Sequence, residues 1–105
     1  MRWETALIDY KIYLRLERGL SENSIESYGY DVQCFIDYIK LNNEKTTPLS
    51  CKKEHIQDFV YTIAKTVNPR SQARQISGLK SFFNFMIFEG YRDDSPLDLI
   101  DSPKI

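Results

Sequence analysis

Apolar residues in this 105-residue chain recur at intervals of three and four in four separate stretches, and nowhere do they alternate cleanly with a period of two. That spacing places apolar side chains along one side of a helix and leaves no stretch suited to a sheet. The first stretch predicts a helix from Arg2 to Arg18, with Trp3, Leu7, Tyr10 and Leu14 inward and Gly19 as a left-handed stop. Ile8, Ile12 and Leu16 add a narrower stripe on its far side. This helix is therefore expected to pack between two neighbours, with a partner-facing stripe as the alternative. A second helix is expected after Ser21, an N-cap residue followed by Glu22, with Ile25, Tyr28, Val32, Phe35, Ile36 and Ile39 inward. It ends near Leu41, before Asn42-Asn43 and Thr46-Thr47-Pro48. A third begins after Ser50, with Ile56, Phe59, Val60 and Ile63 inward. Asn68-Pro69 interrupts the chain, and a fourth runs from Arg70 to Glu89. Its inward stripe is Ile76, Leu79, Phe83, Met86 and Ile87, its outward aromatics are Phe85 and Phe88, and Gly90 caps it. The expected architecture is an all-α, compact four-helix domain with short connections.

The length sets one domain at most, and a chain of this size buries about two-thirds of the surface its unfolded form exposes. With 42% hydrophobic and 13% aromatic residues it can build a core without staples and does not read as disordered. No apolar run approaches the roughly 18 residues needed to cross a bilayer, so no membrane partner is expected. The opening Met-Arg-Trp-Glu lacks the apolar stretch of a signal peptide, which makes a cytoplasmic location the expectation. Cys34 and Cys51 are too few for a metal set and in a reducing compartment stay thiols.

Catalytic chemistry has few candidates. His55 is a lone histidine beside Lys53 and Glu54, read as a solvated surface residue. There is no glycine-rich phosphate loop and no Gly-x-Ser-x-Gly turn. No catalytic residue, metal or cofactor is expected of this chain.

Charge is more informative locally than in total. The net charge is −1, yet residues 59–88 contain Lys65, Arg70, Arg74 and Lys80 and no carboxylate. Residues 89–105 hold Glu89, Asp93, Asp94, Asp98 and Asp101 against Arg92 and Lys104. A basic fourth helix is thus followed by an acidic tail. Arg70, Arg74, Ser77, Ser81 and Asn84 are spaced four, three, four and three apart and lie along one side of that helix, with Gly78 keeping the surface beside them low. Arginines there can reach phosphates or a guanine edge, and serines can donate to phosphates. The Arg70-Ser71-Gln72 start would add free N–H groups and the positive helix end. The same residue types also make an ordinary solvated face. The outer face of the second helix, Asn23, Ser27, Tyr30 and Cys34, is polar but not basic.

These stretches together resemble the N-terminal, core-binding (SAM-like) domain of tyrosine site-specific recombinases of the Xer and phage-integrase type. Tyr13-Leu14, then Glu17-Arg18-Gly19-Leu20-Ser21-Glu22-Asn23-Ser24-Ile25, then Ser27-Tyr28 and Asp31 resemble the family's "YL…ERGLSENT" and "SYRRDL". The run from Arg70 to Phe83 resembles "S-x-A-R-x-x-S-x-L-R-x-F-F". Asp94-Ser95-Pro96 and Leu99-Ile100-Asp101-Ser102-Pro103-Lys104 are similar to the "DNP…LIESPK" segment that leads into a catalytic domain. The resemblance implies a domain that helps clamp duplex DNA, its second and fourth helices against the major groove and flanking phosphates. Strand cleavage through a phosphotyrosine would belong to a catalytic domain absent from this chain. On that reading residues 1–92 are the core-binding domain and residues 93–105 start the linker. Two departures stand out: where the family pairs arginines, this chain has Gly29 and Tyr30, and a mid-helix glycine costs about 1 kcal/mol against alanine. Weaker or more composition-specific DNA binding than in a typical member is therefore expected.

The expected contacts are Arg70, Ser71, Arg74, Ser77, Lys80 and Ser81 on the fourth helix and Asn23, Ser24, Ser27 and Tyr30 on the second. Expected partners are a double-stranded recombination site, the protein's own catalytic domain and other recombinase protomers. The alternative is a helical protein-interaction module with no nucleic-acid partner, supported by the extra stripe of the first helix and by Phe85 and Phe88.

Overall fold

A computed structural model of the chain describes residues 1–42 and 45–98. It contains four helices, α1 (Trp3–Leu16), α2 (Glu22–Asn42), α3 (Lys53–Ile63) and α4 (Pro69–Phe88), and no strand among the described residues. The all-α expectation holds. The chain divides into two units, Met1–Ser50 and Cys51–Ile105.

In the first unit, α1 buries Trp3, Ala6, Tyr10 and Leu14, one residue per turn. Gly19 takes φ 61°, which turns the chain so that the Leu20 N–H reaches the Leu14 carbonyl at 3.1 Å and closes the helix end. The stripe of Ile8, Ile12 and Leu16, expected to meet a second neighbour, is instead 60%, 44% and 74% exposed. Ser21 caps α2 by accepting the Ser24 N–H at 3.3 Å. Ile25, Val32, Phe35, Ile36 and Ile39 are buried as the spacing predicts, while Tyr28 is half-buried. The Trp3 indole N–H donates to the Thr46 carbonyl at 2.9 Å, and its ring meets Phe35 edge-on at 5.7 Å. One aromatic thus satisfies its polar end and fills the α1–α2 core, where full burial of such a side chain contributes about 1.5–3 kcal/mol. Two ion pairs span the helices: Arg15 grips Glu22 at 2.9 Å, and Lys40 reaches Glu4 at 2.9 Å.

In the second unit, α3 starts at an extended Lys52, whose N–H donates to His55 Nδ1 at 2.9 Å. His55, expected as a solvated surface residue, is a half-buried capping group. Ile56 and Phe59 are buried, while Val60 and Ile63 are half-buried. Asn68 caps α4 by accepting the Ser71 N–H at 2.8 Å, and Pro69 occupies the first turn, where a missing N–H costs nothing. The buried Gln72 amide donates to the Val60 carbonyl at 2.9 Å and ties α4 to α3.

The far end of α4 departs from the sequence reading. Phe85, expected outward, is 1% exposed, whereas Ile87, expected inward, is 36% exposed; Phe88 does point outward. Gly90 at φ 79° turns the chain back, the Tyr91 N–H reaches the Met86 carbonyl at 2.9 Å, and the Tyr91 ring packs 6.3 Å from that of Phe85. Arg92, whose side chain is 9% exposed, then donates to the Cys51 carbonyl at 2.8 Å and lies over the Phe83 ring at 5.3 Å. Ser95, Pro96 and Leu97 are buried. Residues 93–98 therefore form a strap packed on this unit. The Leu99–Lys104 part of the family resemblance lies outside the described residues.

Candidate nucleic-acid interface

The candidate face is laid out by α4. Helical geometry sets Arg70, Arg74, Ser77, Ser81 and Asn84 on one side, away from the inward Gln72, Ile76, Leu79 and Phe83. Arg70, Arg74, Ser77 and Asn84 are exposed, while Ser71, Lys80 and Ser81 are half-buried. Gly78 is buried beside this row. No acidic residue lies in the first turn of α4. One expectation is corrected here: the Ser71 N–H is taken by the Asn68 side chain and is not open to a phosphate. Lys65 lies 4.7 Å over the exposed Tyr61 ring just upstream of α4.

The α2 candidates lie in the other unit. Asn23, Ser27 and Tyr30 are exposed, but Ser24 is half-buried and bonded to the Ser21 hydroxyl as part of the helix cap. Two nearby bases are committed to ion pairs, Arg15 to Glu22 and Lys40 to Glu4. The Arg15 guanidinium holds the Glu22 carboxyl below its ordinary range, and the hydrogen bond from Lys40 does the same for Glu4. Gly29 is buried because the Lys11 side chain crosses it.

Burial pushes the Cys51 thiol up to about 12, against an opposing pull from Arg92, which leaves it protonated and unreactive. Among the described residues no group of three or more His, Cys, Asp or Glu is placed to hold a metal ion. No helix among them is long and apolar enough to cross a membrane. Two open clefts lie on the second unit. One, of about 400 Å³, is lined by residues that include Lys52, Lys53, Arg92 and Asp94; the other, of about 230 Å³, by Lys80, Asn84, Ser95, Leu97 and Asp98. The second brings Asp98 to the edge of the α4 face. Sequence spacing gave no sign of that, because the residue lies in the stretch read as linker.

A helical chain with this capped, arginine-bearing α4 matches the family model "Phage integrase, N-terminal SAM-like domain" over residues 7–90, and the chain belongs to that family. Among curated proteins it is similar to tyrosine recombinase XerD of Listeria monocytogenes, with 34% identity over 97 residues, covering 91% of this chain and 33% of the relative. XerD of Brucella suis is 32% identical over 105 residues, covering 99% of this chain and 33% of the relative. A tyrosine recombinase of Pseudothermotoga lettingae is 31% identical over 105 residues, covering 97% and 36%. The chain thus spans about a third of the length of these relatives. No solved structure matches it significantly.

Proposed function

We propose that this chain binds duplex DNA as the N-terminal clamp domain of a tyrosine recombinase and so contributes to site-specific recombination or integration. The observation that carries the reading is the exposed Arg70–Arg74 pair on a helix face within a stretch, residues 59–88, that holds no carboxylate. Arginines four apart on a rigid helix can neutralise successive backbone phosphates, and Ser77 and Ser81 can donate beside them. Arg74 has the reach and fork geometry to read a guanine. In this reading the chain supplies binding and the strand breakage and rejoining fall to a catalytic domain beyond residues 93–105. Its partners are a recombination site, that catalytic domain and other recombinase protomers, and it works in the cytoplasm, where such DNA is found.

The test is fluorescence anisotropy of a labelled duplex titrated with the chain across a salt series. Binding should weaken with a log–log salt slope of about −3 to −4, matching about four phosphate contacts. The Arg70→Ala/Arg74→Ala pair should flatten it by about two. A duplex bound equally well by that double variant would remove α4 from the interface. The second reading, a protein-interaction module, draws on the exposed Ile8, Ile12, Leu16 and Phe88. It predicts no duplex binding and an affinity for a protein partner that salt leaves nearly unchanged.

A further inference from the structure

We infer, resting on the DNA reading above, that Lys65 is a further contact to the DNA backbone and that Tyr61 is the residue that positions it. The Lys65 Nζ lies 4.7 Å from the centroid of the Tyr61 ring, four residues earlier in the chain. Both residues are exposed, the tyrosine to 69%. Arg2, Arg15, Lys40 and Arg92 are instead drawn to carboxylates, which offset their charge. A ring face is a different kind of partner. It attracts a cation through its quadrupole and leaves the full positive charge in place. It also leaves the ammonium with donors to spare for a phosphate oxygen. Lys65 is therefore held and still able to bind.

The backbone under this pair is fixed as well. The Ala64 N–H donates to the Val60 carbonyl at 3.1 Å, the Lys65 N–H to Thr62 at 3.2 Å, and the Thr66 and Val67 N–H groups to Ile63 at 3.0 and 2.9 Å. The bond from Gln72 to the Val60 carbonyl holds α4 against the same end of α3. Lys65 and the exposed Arg70 thus flank one corner whose two sides are tied together. Five residues span at most about 18 Å even when extended, and here they are coiled into turns. One DNA strand offers a phosphate about every 3.4 Å of axis, so a strand that meets Arg70 has phosphates within range of Lys65. No carboxylate lies between residues 59 and 88 to compete for either charge. The footprint of α4 therefore continues round the corner onto the end of α3.

The experiment compares the chain with Lys65→Gln, Tyr61→Leu, Tyr61→Phe, the Lys65→Gln/Tyr61→Leu pair and Lys53→Gln, by anisotropy of a labelled duplex across salt. Both side chains are exposed, so these variants leave the core intact, and Lys53 at the opposite end of α3 matches the change in net charge. Lys65→Gln should weaken binding about three- to fivefold at low salt and flatten the slope by about one. Tyr61→Leu should weaken it about two- to threefold and leave the slope unchanged, because the charge remains and only its placement is lost. Tyr61→Phe keeps the ring face and should bind as the parent does. In the Lys65→Gln background, Tyr61→Leu should cost nothing further. Equal losses from Lys53→Gln and Lys65→Gln would reduce the effect to net charge and overturn the contact, as would a silent Lys65→Gln. A silent Tyr61→Leu, or a loss that persists without Lys65 or is shared by Tyr61→Phe, would overturn the positioning role. The arginine double variant separates failure of the contact from failure of the DNA reading. If it weakens binding while Lys65→Gln is silent, only the corner contact is lost. If it is silent too, the DNA reading falls with it.

Discussion

Lys11 lies across Gly29: a β-carbon at position 29 would stand 2.5 Å from Lys11 Cε and 3.3 Å from its Nζ. The glycine that looks misplaced in the middle of α2 is the floor of a groove for a side chain of α1. The obstructing atoms are the end of a flexible chain, so the groove is occupied without being rigidly closed.

Gly29→Ala should therefore be mildly stabilising. The helix-propensity gain of about 0.8–1 kcal/mol outweighs the small dispersion attraction given up when the lysine end swings out. In a Lys11→Ala background the same substitution should realise the full gain. Urea unfolding of the four-member cycle measures both. A loss above about 1 kcal/mol for Gly29→Ala would mean the groove is overpacked and cannot relax.

The two ion pairs linking α1 and α2 set a pH dependence whose sign is fixed. Hydrogen bonding to Arg15 and Lys40 lowers the folded-state values of Glu22 and Glu4 from the ordinary 4.5. A depressed carboxylate binds its proton more readily when unfolded, so its contribution is fully present above about pH 4.5 and lost as pH falls through the lowered folded value. Both carboxylates are solvent-exposed, so the effect is small and screened by salt. Urea midpoints measured from pH 7 to pH 3 should fall less for Glu4→Gln/Glu22→Gln than for the parent, and the difference should shrink in about 1 M salt.

The two cysteines should behave differently towards alkylating reagents. Cys51 is 1% exposed and its thiol is pushed up to about 12, so at pH 8 almost none of it is thiolate. Cys34 is half-buried on α2. Mass spectrometry after a brief iodoacetamide pulse should find one label on the native chain, at Cys34, and two in denaturant. Native labelling of Cys51 would show that the Arg92 end of the unit opens readily.

Most of the core could be read from spacing because helix interiors repeat. Ile25, Val32, Phe35, Ile36 and Ile39 follow from α2 alone, and Gly19 and Gly90 mark their turns by their chemistry. What could not be read were burials decided by a neighbour distant in sequence. Phe85 packs against Tyr91, which the turn at Gly90 brings back onto the end of α4. His55 gains its place by accepting a backbone N–H, a bond that residue type does not announce. The α4 row was legible as a face, since Arg70, Arg74 and Ser77 sit a turn apart. The closure of its first N–H by Asn68 and the nearness of Asp98 to Lys80 were not, because each depends on how the flanking loop folds.

The bond from Arg92 to the Cys51 carbonyl joins the start of the second unit to the turn that follows α4. Held at that point, α3 and α4 form a closed bight of chain, with the strap of residues 93–98 lying beyond the closure. Tension applied along the backbone would first peel the buried strap of residues 93–98 and only then load that guanidinium–carbonyl contact, which makes Arg92 the second latch of the unit and the last before the helices.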